Sequence, residues 1–251
     1  MRRLFLVMVL MIGGISATTV AADHSADPLS LFIKAGFAYK DGQYEQAAQI
    51  YEQILASGIE SGPLYFNLAN GYFKQNKLGL AILNYERARR LLPRDSDVAA
   101  NYMFALNAAQ VTAMPPQNNL ISLFNQHIRF YTGNEMILII TGLFVGGLFL
   151  YLWALLRVWP VRRRILVLGL IGLLGIIHVI GLGASVEAQK NTAVVVTTSD
   201  VLFEPREKAT VYFSLPEGSS VHIISREGLW TKVQRPDGKT GWVQAQAVAE
   251  I

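Results

Sequence analysis

The sequence contains no cysteine among its 251 residues. It therefore has no disulfide, no thiolate metal ligand, no thiol nucleophile and no lipidated N-terminal cysteine. Histidine is also scarce: the four that are present fall in four separate regions, none at a metal-ligand spacing from another histidine or a carboxylate. Stability must come from packing alone, and we expect no metal centre.

Sequence motifs for catalysis are missing as well. There is no phosphate-binding loop, no G-x-S-x-G sequence and no dinucleotide fingerprint. An enzyme needs a nucleophile with a base, a metal, or a paired acid and base. We therefore expect a protein that is not an enzyme and that uses no cofactor.

Positive charge is concentrated rather than spread along the chain. The formal net charge is +4, but it comes from Arg2, Arg3 and the four arginines between residues 157 and 164, whereas residues 23–112 and 191–251 are each slightly acidic. A basic footprint on a folded region would indicate nucleic-acid binding. Because the folded regions lack one, we expect no nucleic-acid partner.

Two long apolar runs organise the chain. Residues 136–156 and 165–186 contain no Asp, Glu, Lys or Arg, and at about 1.5 Å per residue each can cross a hydrocarbon core of roughly 30 Å. The segment between them, 157–164, carries Arg157, Arg162, Arg163 and Arg164, and this bias holds a loop in the cytoplasm. We predict two transmembrane helices, joined by a cytoplasmic loop, in the bacterial inner (cytoplasmic) membrane. Both flanking regions are then expected on the periplasmic, extracytoplasmic side.

The N-terminus has the pattern of a secretory signal peptide. Arg2 and Arg3 precede an apolar stretch, and Val20 and Ala22 are small residues that suit cleavage after Ala22. We therefore predict that residues 1–22 are a signal peptide. The alternative is an uncleaved anchor helix, because no charge closes the apolar run before Asp23.

Residues 29–110 repeat themselves at a spacing of 34. Identical pairs at that offset are Phe32 and Phe66, Ala35 and Ala69, Lys40 and Lys74, Ala47 and Ala81, Tyr51 and Tyr85, and Glu52 and Glu86. The small alanines let paired helices approach closely, and the tyrosines fill the space between repeats. This period, with a second unit that ends at Pro93, resembles the tetratricopeptide family. The resemblance implies an α-helical domain over residues 23–112, with repeats at about 29–62 and 63–96 and a capping helix at 97–110 that Asp95 or Ser96 begins.

Residues 113–135 link the repeats to the first apolar run. The sequence MPPQNN at 114–119 breaks the helix, and residues 120–131 place apolar side chains on one side and polar side chains on the other. This second part is predicted to lie in the membrane interface. The alternative is an ordinary helix packed under the repeats.

The tail at 191–251 changes character, because short β-rich runs alternate there with Pro, Gly and Asp turns. The residues Leu215, Glu217, Gly218, Trp230, Val233, Asp237, Gly238, Gly241, Trp242 and Val243 resemble the bacterial SH3-like family, which implies a small all-β barrel. Phe203 to Arg206 departs from the commoner pattern of the first loop, so the ligand preference of that loop stays open. We expect Trp230 and Trp242 to pack in the barrel rather than to form a ligand platform.

The whole order of modules resembles the BatE type of protein from the Bat (aerotolerance) operons. The resemblance implies a non-enzymatic inner-membrane component that acts with membrane proteins carrying von Willebrand A domains and with a cytoplasmic MoxR-type ATPase, in envelope or oxidative-stress tolerance. From the residues alone, the expected function is a scaffold with two extracytoplasmic interaction modules. The alternatives are a protein that binds cell-wall peptidoglycan through the barrel, and an enzyme with a site that the sequence does not reveal.

The candidate partner-binding site lies on the repeats. The first helix of each tetratricopeptide repeat lines the concave surface, where residues three and seven apart share one helix face. Asn67, Asn70 and Lys74 have that spacing, and Lys40 and Asn101 are repeat counterparts of Lys74 and Asn67. Amides bond both groups of a peptide backbone and lysines hold a carboxylate. We predict that this strip binds an extended segment or chain terminus of a protein; the alternative is an empty, solvated groove.

Two features within the apolar runs are also predicted to make contacts. Counting along the hairpin brings His178 close to the depth of Thr141, so we predict a hydrogen bond, direct or through water, between these side chains. Gly142 and Gly146 form a GxxxG pair, which we expect to pack the first span on the second rather than to dimerise the protein.

Overall fold

The computed structural model describes residues 27–111, 124 and 127–251. The predicted signal peptide and the MPPQNN sequence lie outside these residues. Residues 27–111 form a helical array of five helices: α1 (Pro28–Lys40), α2 (Tyr44–Ala56), α3 (Gly62–Lys74), α4 (Leu78–Leu91) and α5 (Ser96–Ala108). Each helix packs against the next one along the chain.

Polar caps fix where the first helix of each pair begins. The Asp27 carboxylate accepts a hydrogen bond from the Ser30 N–H at 3.2 Å, and the Ser61 hydroxyl accepts one from the Leu64 N–H at 3.3 Å. Asp95 caps α5, since its carboxylate accepts from the N–H groups of Asp97 and Val98. The cap that the sequence left open between Asp95 and Ser96 is therefore Asp95.

The turn within each helix pair needs a residue with positive φ. Gly42 has φ of 78° in the first turn, and Asn76, which stands 34 residues later, has φ of 58°. Asparagine enters this left-handed region more readily than other residues with a side chain. The second turn therefore forms without the glycine that the first one uses.

The repeated small residues lie at the helix contacts. Ala35, Ala47, Ala69 and Ala81 are fully buried, and Tyr51 and Tyr85 are buried beside them in one continuous core. Phe32 packs on Tyr51, and its repeat counterpart Phe66 packs on Tyr85, with ring centroids 5.6 and 6.0 Å apart. Helices form where the 34-residue period predicts them; assignment to the tetratricopeptide family stays a prediction.

Two further helices, α6 (Gly133–Leu156) and α7 (Val161–Gln189), are long and apolar enough to cross a membrane. α6 begins earlier than predicted because Thr132 and Glu135 form a reciprocal capping box. α7 begins directly after Pro160, so it contains three of the arginines that the sequence placed in the loop. The turn between the helices is therefore shorter than predicted.

The contact between α6 and α7 uses different glycines from the predicted pair. A Cβ added to Gly147 would meet Ile171 at 3.2 Å, and one added to Gly181 would overlap the side chain of Ile128. In contrast, a Cβ at Gly142 or Gly146 would meet nothing within 4 Å. The expectation that the GxxxG pair packs the two helices together is thus wrong, because that pair faces away from α7.

Residues 191–251 form a sheet domain of seven antiparallel strands: β1 (Thr192–Val195), β2 (Ser199–Leu202), β3 (Val211–Leu215), β4 (Ser220–Glu227), β5 (Trp230–Gln234), β6 (Thr240–Gln244) and β7 (Val248–Glu250). The order across the sheet is β3-β2-β6-β5-β4-β1-β7. Its core consists of alternate strand residues, among them Val201, Val221, Val233 and Val243. This period-two burial is what a sheet with one packed face requires.

The sheet domain packs directly on the helical array. Val194 of β1 is fully buried and belongs to the core of the array rather than to that of the sheet. Gly79 of α4 lies so close to β1 that an added Cβ would come within 2.8 Å of the carbonyl oxygens of Val195 and Val196. Gly218, in the turn before β4, likewise contacts the side chain of Ile82.

Polar contacts hold the same interface. The Glu217 carboxylate accepts a hydrogen bond from the Gly79 N–H at 3.0 Å, in the first turn of α4, where the helix dipole favours a negative group. The guanidinium groups of Arg87 and Arg90 donate to the carbonyl oxygens of Glu250 and Ile251 at 2.6 and 2.9 Å. The free edge of β7 is thereby covered by α4.

A second contact joins the helical array to α6. Arg94, in the loop between α4 and α5, forms an ion pair with Glu135 in the first turn of α6, with 2.5 Å between Nη2 and Oε1. The same guanidinium lies over the Phe130 ring at 5.4 Å from its centroid. The array therefore contacts the start of α6 as well as the domain that follows α7.

We predict that Gly79→Glu separates the sheet domain from the helical array without unfolding either. Glu45 occupies the equivalent position in α2, so the helix tolerates glutamate there, but at Gly79 it would meet the β1 backbone and the Glu217 carboxylate. Spin labels on cysteines that replace Lys34 and Lys239 would report the distance between domains, since the chain has no other thiol. We expect one narrow distance in the parent and a broad distribution in the variant.

Gly36→Ala is the matched control for this prediction. A Cβ at this helical glycine has its nearest neighbour at 4.0 Å, so the narrow distance should persist. A narrow, unshifted distance in Gly79→Glu would show that the close approach at α4 does not hold the domains together.

Candidate functional site

The asparagine and lysine strip is partly assembled in the structure. The side-chain oxygen of Asn70 accepts hydrogen bonds from the Tyr85 hydroxyl at 2.5 Å and from the Asn101 amide at 3.2 Å. These two asparagines come from α3 and α5, so the fold brings two members of the strip together. The strip residue Asn67 is half-buried beside them.

The two lysines of the strip are placed differently. Lys40 and Lys74 are both exposed, at the ends of α1 and α3. Lys40 lies over the Phe37 ring of its own helix, at 5.9 Å from the centroid. No ion pair joins either lysine to a carboxylate within the described residues. Both ammonium groups are available to a negative group on a partner.

A pair of aromatic residues, half-buried Phe73 and exposed Phe104, borders the strip and was missed from the sequence. Phe73 and Phe104 have ring centroids 5.5 Å apart, and Phe104 is 64% exposed. Phe104 stands 34 residues after Asn70, so extending the repeat offset into α5 would have found it. The array thus presents amides, an ammonium group and an apolar ring near one another, which suits an extended peptide with an apolar side chain.

A second candidate site is a groove on the sheet domain, here called the aromatic groove. The groove has a volume of about 590 Å³ and is open to solvent. Its lining residues are Phe203, Tyr212, Lys232, Asp237, Gly238, Lys239, Thr240, Gly241 and Trp242. Phe203 and Tyr212 stack with centroids 4.5 Å apart at one end of the groove.

A β-bulge aims Tyr212 into the aromatic groove. In the β2–β3 pair, Val201 is opposite Phe213 and Leu202 is opposite Val211, so Tyr212 has no partner across the strands. An extra residue of this kind bends the strand and redirects a side chain. The bulge cannot be read from the sequence, which explains why Tyr212 was not among the predicted site residues.

Charge in the aromatic groove is mainly positive. Asp237 is paired with Arg235, whose hydrogen bond lowers the pKa of Asp237 to about 2. The carboxylate therefore stays ionised, and the positive charge of Arg235 offsets its negative charge. Lys232 lies over the Trp242 ring at 5.7 Å from its centroid, and Lys239 is exposed without an ion pair among the described residues. Aromatic rings beside two lysines favour a ligand that has a flat or apolar part and a carboxylate.

Trp242 both packs the sheet and forms the groove floor. It is 8% exposed and stands opposite Leu202 and Lys232 in the neighbouring strands. Its burial agrees with the packing role predicted for it. Trp230 is half-buried at the other end of its hairpin and does not line the groove.

The hydrogen bond predicted between Thr141 and His178 does not form directly within the described residues. The Nδ1 atom of His178 lies 2.9 Å from the Leu174 carbonyl oxygen of its own helix, and its ring meets that of His127 edge-on at 5.8 Å. Thr141 and His178 do lie at a similar depth along the hairpin, but Thr141 points in another direction. With 3.6 residues per turn, Thr141 points about 140° away from Met136, whose side chain faces Gly181 of α7.

Comparison with known proteins identifies one part of the chain. Residues 200–249 match the family model of the bacterial SH3 domain. They form most of the sheet domain, including the aromatic groove, but not β1. No curated protein and no solved structure matches the chain. Bacterial SH3 domains often bind proteins or peptidoglycan, which accords with a binding groove in this position.

We predict that Asn70→Ala destabilises the helical array by about 1–3 kcal/mol, because the buried Tyr85 hydroxyl loses its acceptor. Lys74→Ala should change the free energy of unfolding by less than about 0.5 kcal/mol, since the side chain is exposed. Urea unfolding followed by helical circular dichroism measures both. Equal unfolding midpoints for Asn70→Ala and the parent would mean that the bond to Tyr85 contributes nothing.

We also predict opposite outcomes for two aromatic residues of the groove. Trp242→Ala should destabilise the sheet domain by about 3–5 kcal/mol, because it removes a large buried side chain. Phe203→Ala should leave stability within about 0.5 kcal/mol, because Phe203 is 56% exposed. Thermal unfolding followed by tryptophan fluorescence separates them, and an unchanged melting curve for Trp242→Ala would remove its packing role.

Proposed function

We propose that this protein is a non-enzymatic scaffold of the bacterial inner membrane that binds protein partners outside the cytoplasm through its helical array and its SH3 domain. The two membrane-length helices anchor it, and the two soluble regions act on one side of the membrane. No cofactor takes part.

The observation that carries this proposal is the direct packing of the sheet domain on the helical array. The array precedes α6 and the sheet domain follows α7, yet Glu217 binds Gly79, and Arg87 and Arg90 bind β7. Two regions in contact must lie on the same side of a membrane. Two crossings that return the chain to its starting side meet this requirement, which supports a hairpin.

The side is argued from charge. Arg157, Arg162, Arg163 and Arg164 cluster at the turn between α6 and α7, and this bias favours the cytoplasm for the turn. The array and the sheet domain then face the periplasm. Partner proteins on that side of the membrane would then meet both recognition surfaces, the asparagine and lysine strip and the aromatic groove.

The proposed setting is a Bat-type complex for envelope or oxidative-stress tolerance. It rests on the resemblance in module order to BatE-type proteins, supported by the bacterial SH3 domain at residues 200–249 and by two helices that can span a membrane. Membrane proteins with von Willebrand A domains are the proposed partners of the array. The exposed Lys40 and Lys74 would hold a carboxylate of such a partner.

Peptidoglycan binding is the second candidate function, and the aromatic groove favours it. The groove is lined by three aromatic side chains and two lysines, which suits the sugar faces of the glycan chains and the carboxylates of the stem peptides in the cell wall. In this case the SH3 domain would hold the wall while the hairpin holds the membrane, and the helical array would have a supporting role.

One experiment separates the two functions. We expect Lys74→Glu to reduce photo-cross-linking to a von Willebrand A domain membrane protein in native membranes by tenfold or more, equivalent to about 1.4 kcal/mol, because it reverses the charge of the strip. Phe203→Ala should leave this cross-link intact. Lys34→Glu, on the same array but outside the strip, is the matched control.

The same variants are then tested for sedimentation with isolated cell wall. Loss of wall binding in Phe203→Ala, with partner cross-linking unchanged in Lys74→Glu, would overturn the scaffold proposal and establish the peptidoglycan function. Loss of cross-linking in Lys34→Glu as well would show that net charge, and not the strip, controls the contact.

A further inference from the structure

The turn between α6 and α7 concentrates positive charge without compensation. Four arginines lie within residues 157–164, and no acidic residue occurs between Glu135 and Glu187. Among the described residues, none of these arginines forms an ion pair with a carboxylate. Guanidinium groups that have no carboxylate partner at the end of an apolar hairpin can pair with an anion from outside the chain.

The backbone of this turn is tightly closed. Val158 has φ of 51°, a left-handed conformation that is rare for a β-branched residue. The N–H groups of Val158 and Trp159 donate to the carbonyl oxygens of Leu155 and Ala154 at 3.2 and 3.1 Å, which is the pattern of a Schellman cap. This closure turns Trp159 back between the two helices, where it lines a small cavity with Ala154 and Val167.

Two tryptophans then position three guanidinium groups. Arg163 stacks over the Trp159 ring at 4.4 Å from its centroid, and Arg164 Nε donates to the Trp159 carbonyl oxygen at 2.8 Å. Arg157 lies over the Trp153 ring at 5.9 Å, and the two tryptophan rings meet edge-on at 5.1 Å. The guanidinium groups are therefore held around one tryptophan pair rather than dispersed in solvent.

Several donors at this turn remain unused. Arg164 uses only its Nε atom, so both terminal nitrogens of that guanidinium have no partner among the described residues. The N–H groups of Val161 and Arg162 begin α7 without a backbone hydrogen bond, and the capping residue Pro160 offers no side-chain acceptor. Donors of both kinds match the oxygens of a phosphate.

From this arrangement we infer that the turn binds the phosphate of an anionic phospholipid headgroup. The site consists of the guanidinium groups of Arg157, Arg163 and Arg164, held by Trp153 and Trp159. This inference rests on the membrane insertion of the proposed function. It adds a ligand class on the side of the membrane opposite to the SH3 domain.

A lipid fits better than a free anion because apolar surface adjoins the charge. Leu156 and Val158 are 82% and 81% exposed directly beside the arginines. Trp153 is exposed too, and tryptophan favours the headgroup level of a bilayer. A phospholipid supplies the phosphate and the hydrocarbon in the relative positions that these residues need.

Native mass spectrometry of the full-length protein tests the inference. The protein is inserted into nanodiscs of phosphatidylglycerol and phosphatidylcholine in equal amounts, and the lipids that stay bound on release are counted. We expect the parent to retain phosphatidylglycerol preferentially. Arg163→Gln together with Arg164→Gln should reduce that preference by about fivefold for each arginine. An unchanged preference in this double variant would overturn the site.

Trp159→Leu distinguishes a built site from simple charge attraction. It keeps all four arginines, and therefore the orientation signal, but removes the ring on which Arg163 stacks. We expect the lipid preference to fall, whereas Phe149→Leu, a lipid-facing aromatic change in α6, should leave it unaltered. A full preference in Trp159→Leu would show that charge alone attracts lipid and would refute the assigned geometry.

Two further arms identify the anion and separate this inference from the proposed function. Inorganic phosphate at millimolar concentration should not displace the lipid; displacement would mean that the turn binds a free anion. Extraction of the protein from cell membranes by carbonate would overturn both the membrane anchoring and the lipid site. Resistance to carbonate without lipid preference would refute the lipid site alone.

Discussion

The close approach of β1 to α4 at Gly79 is the contact on which the arrangement of the whole chain depends. A single added carbon there would meet two backbone carbonyl oxygens, which cannot move aside as a flexible side chain can. Around this point, Glu217 caps α4 and Arg87 and Arg90 cover the edge of β7. Without this interface, the helical array and the sheet domain would be joined only through α6 and α7.

The sequence contains a sign of this contact, but the repeat pattern alone does not identify the segment that makes it. The two repeats agree at Ala47 and Ala81 but differ two and one positions earlier, where Glu45 and Gln46 are replaced by Gly79 and Leu80. A loss of polarity at a repeat position signals that something covers it. What covers it lies more than a hundred residues later in the chain, and no local periodicity encodes such a pairing.

Features that depend on local sequence rules could be predicted. Features that depend on the direction of a side chain around its helix, or on a tertiary contact, could not. Helix positions in the array follow from the 34-residue offset and from caps such as Asp95. The existence of α6 and α7 follows from composition, although both helices begin before their apolar runs. The partner of His178 could not be predicted in this way, because counting residues gives the depth of a side chain but not its direction around the helix axis. Likewise, the bulge at Tyr212 does not follow from the sequence, because it depends on how β2 pairs with β3.

The contacts at both ends of the hairpin have a mechanical consequence. α6 is joined to the array by the Arg94–Glu135 pair, and α7 leads into β1 through only Lys190 and Asn191. Since the array and the sheet domain also touch, the chain forms a closed ring in which the outer ends of both helices are held at a set separation. If the two helices span a bilayer as proposed, a change in bilayer thickness that alters their tilt would also act on the Gly79 contact. The packing of the two domains on each other and the separation of the two helices are therefore linked through the chain itself.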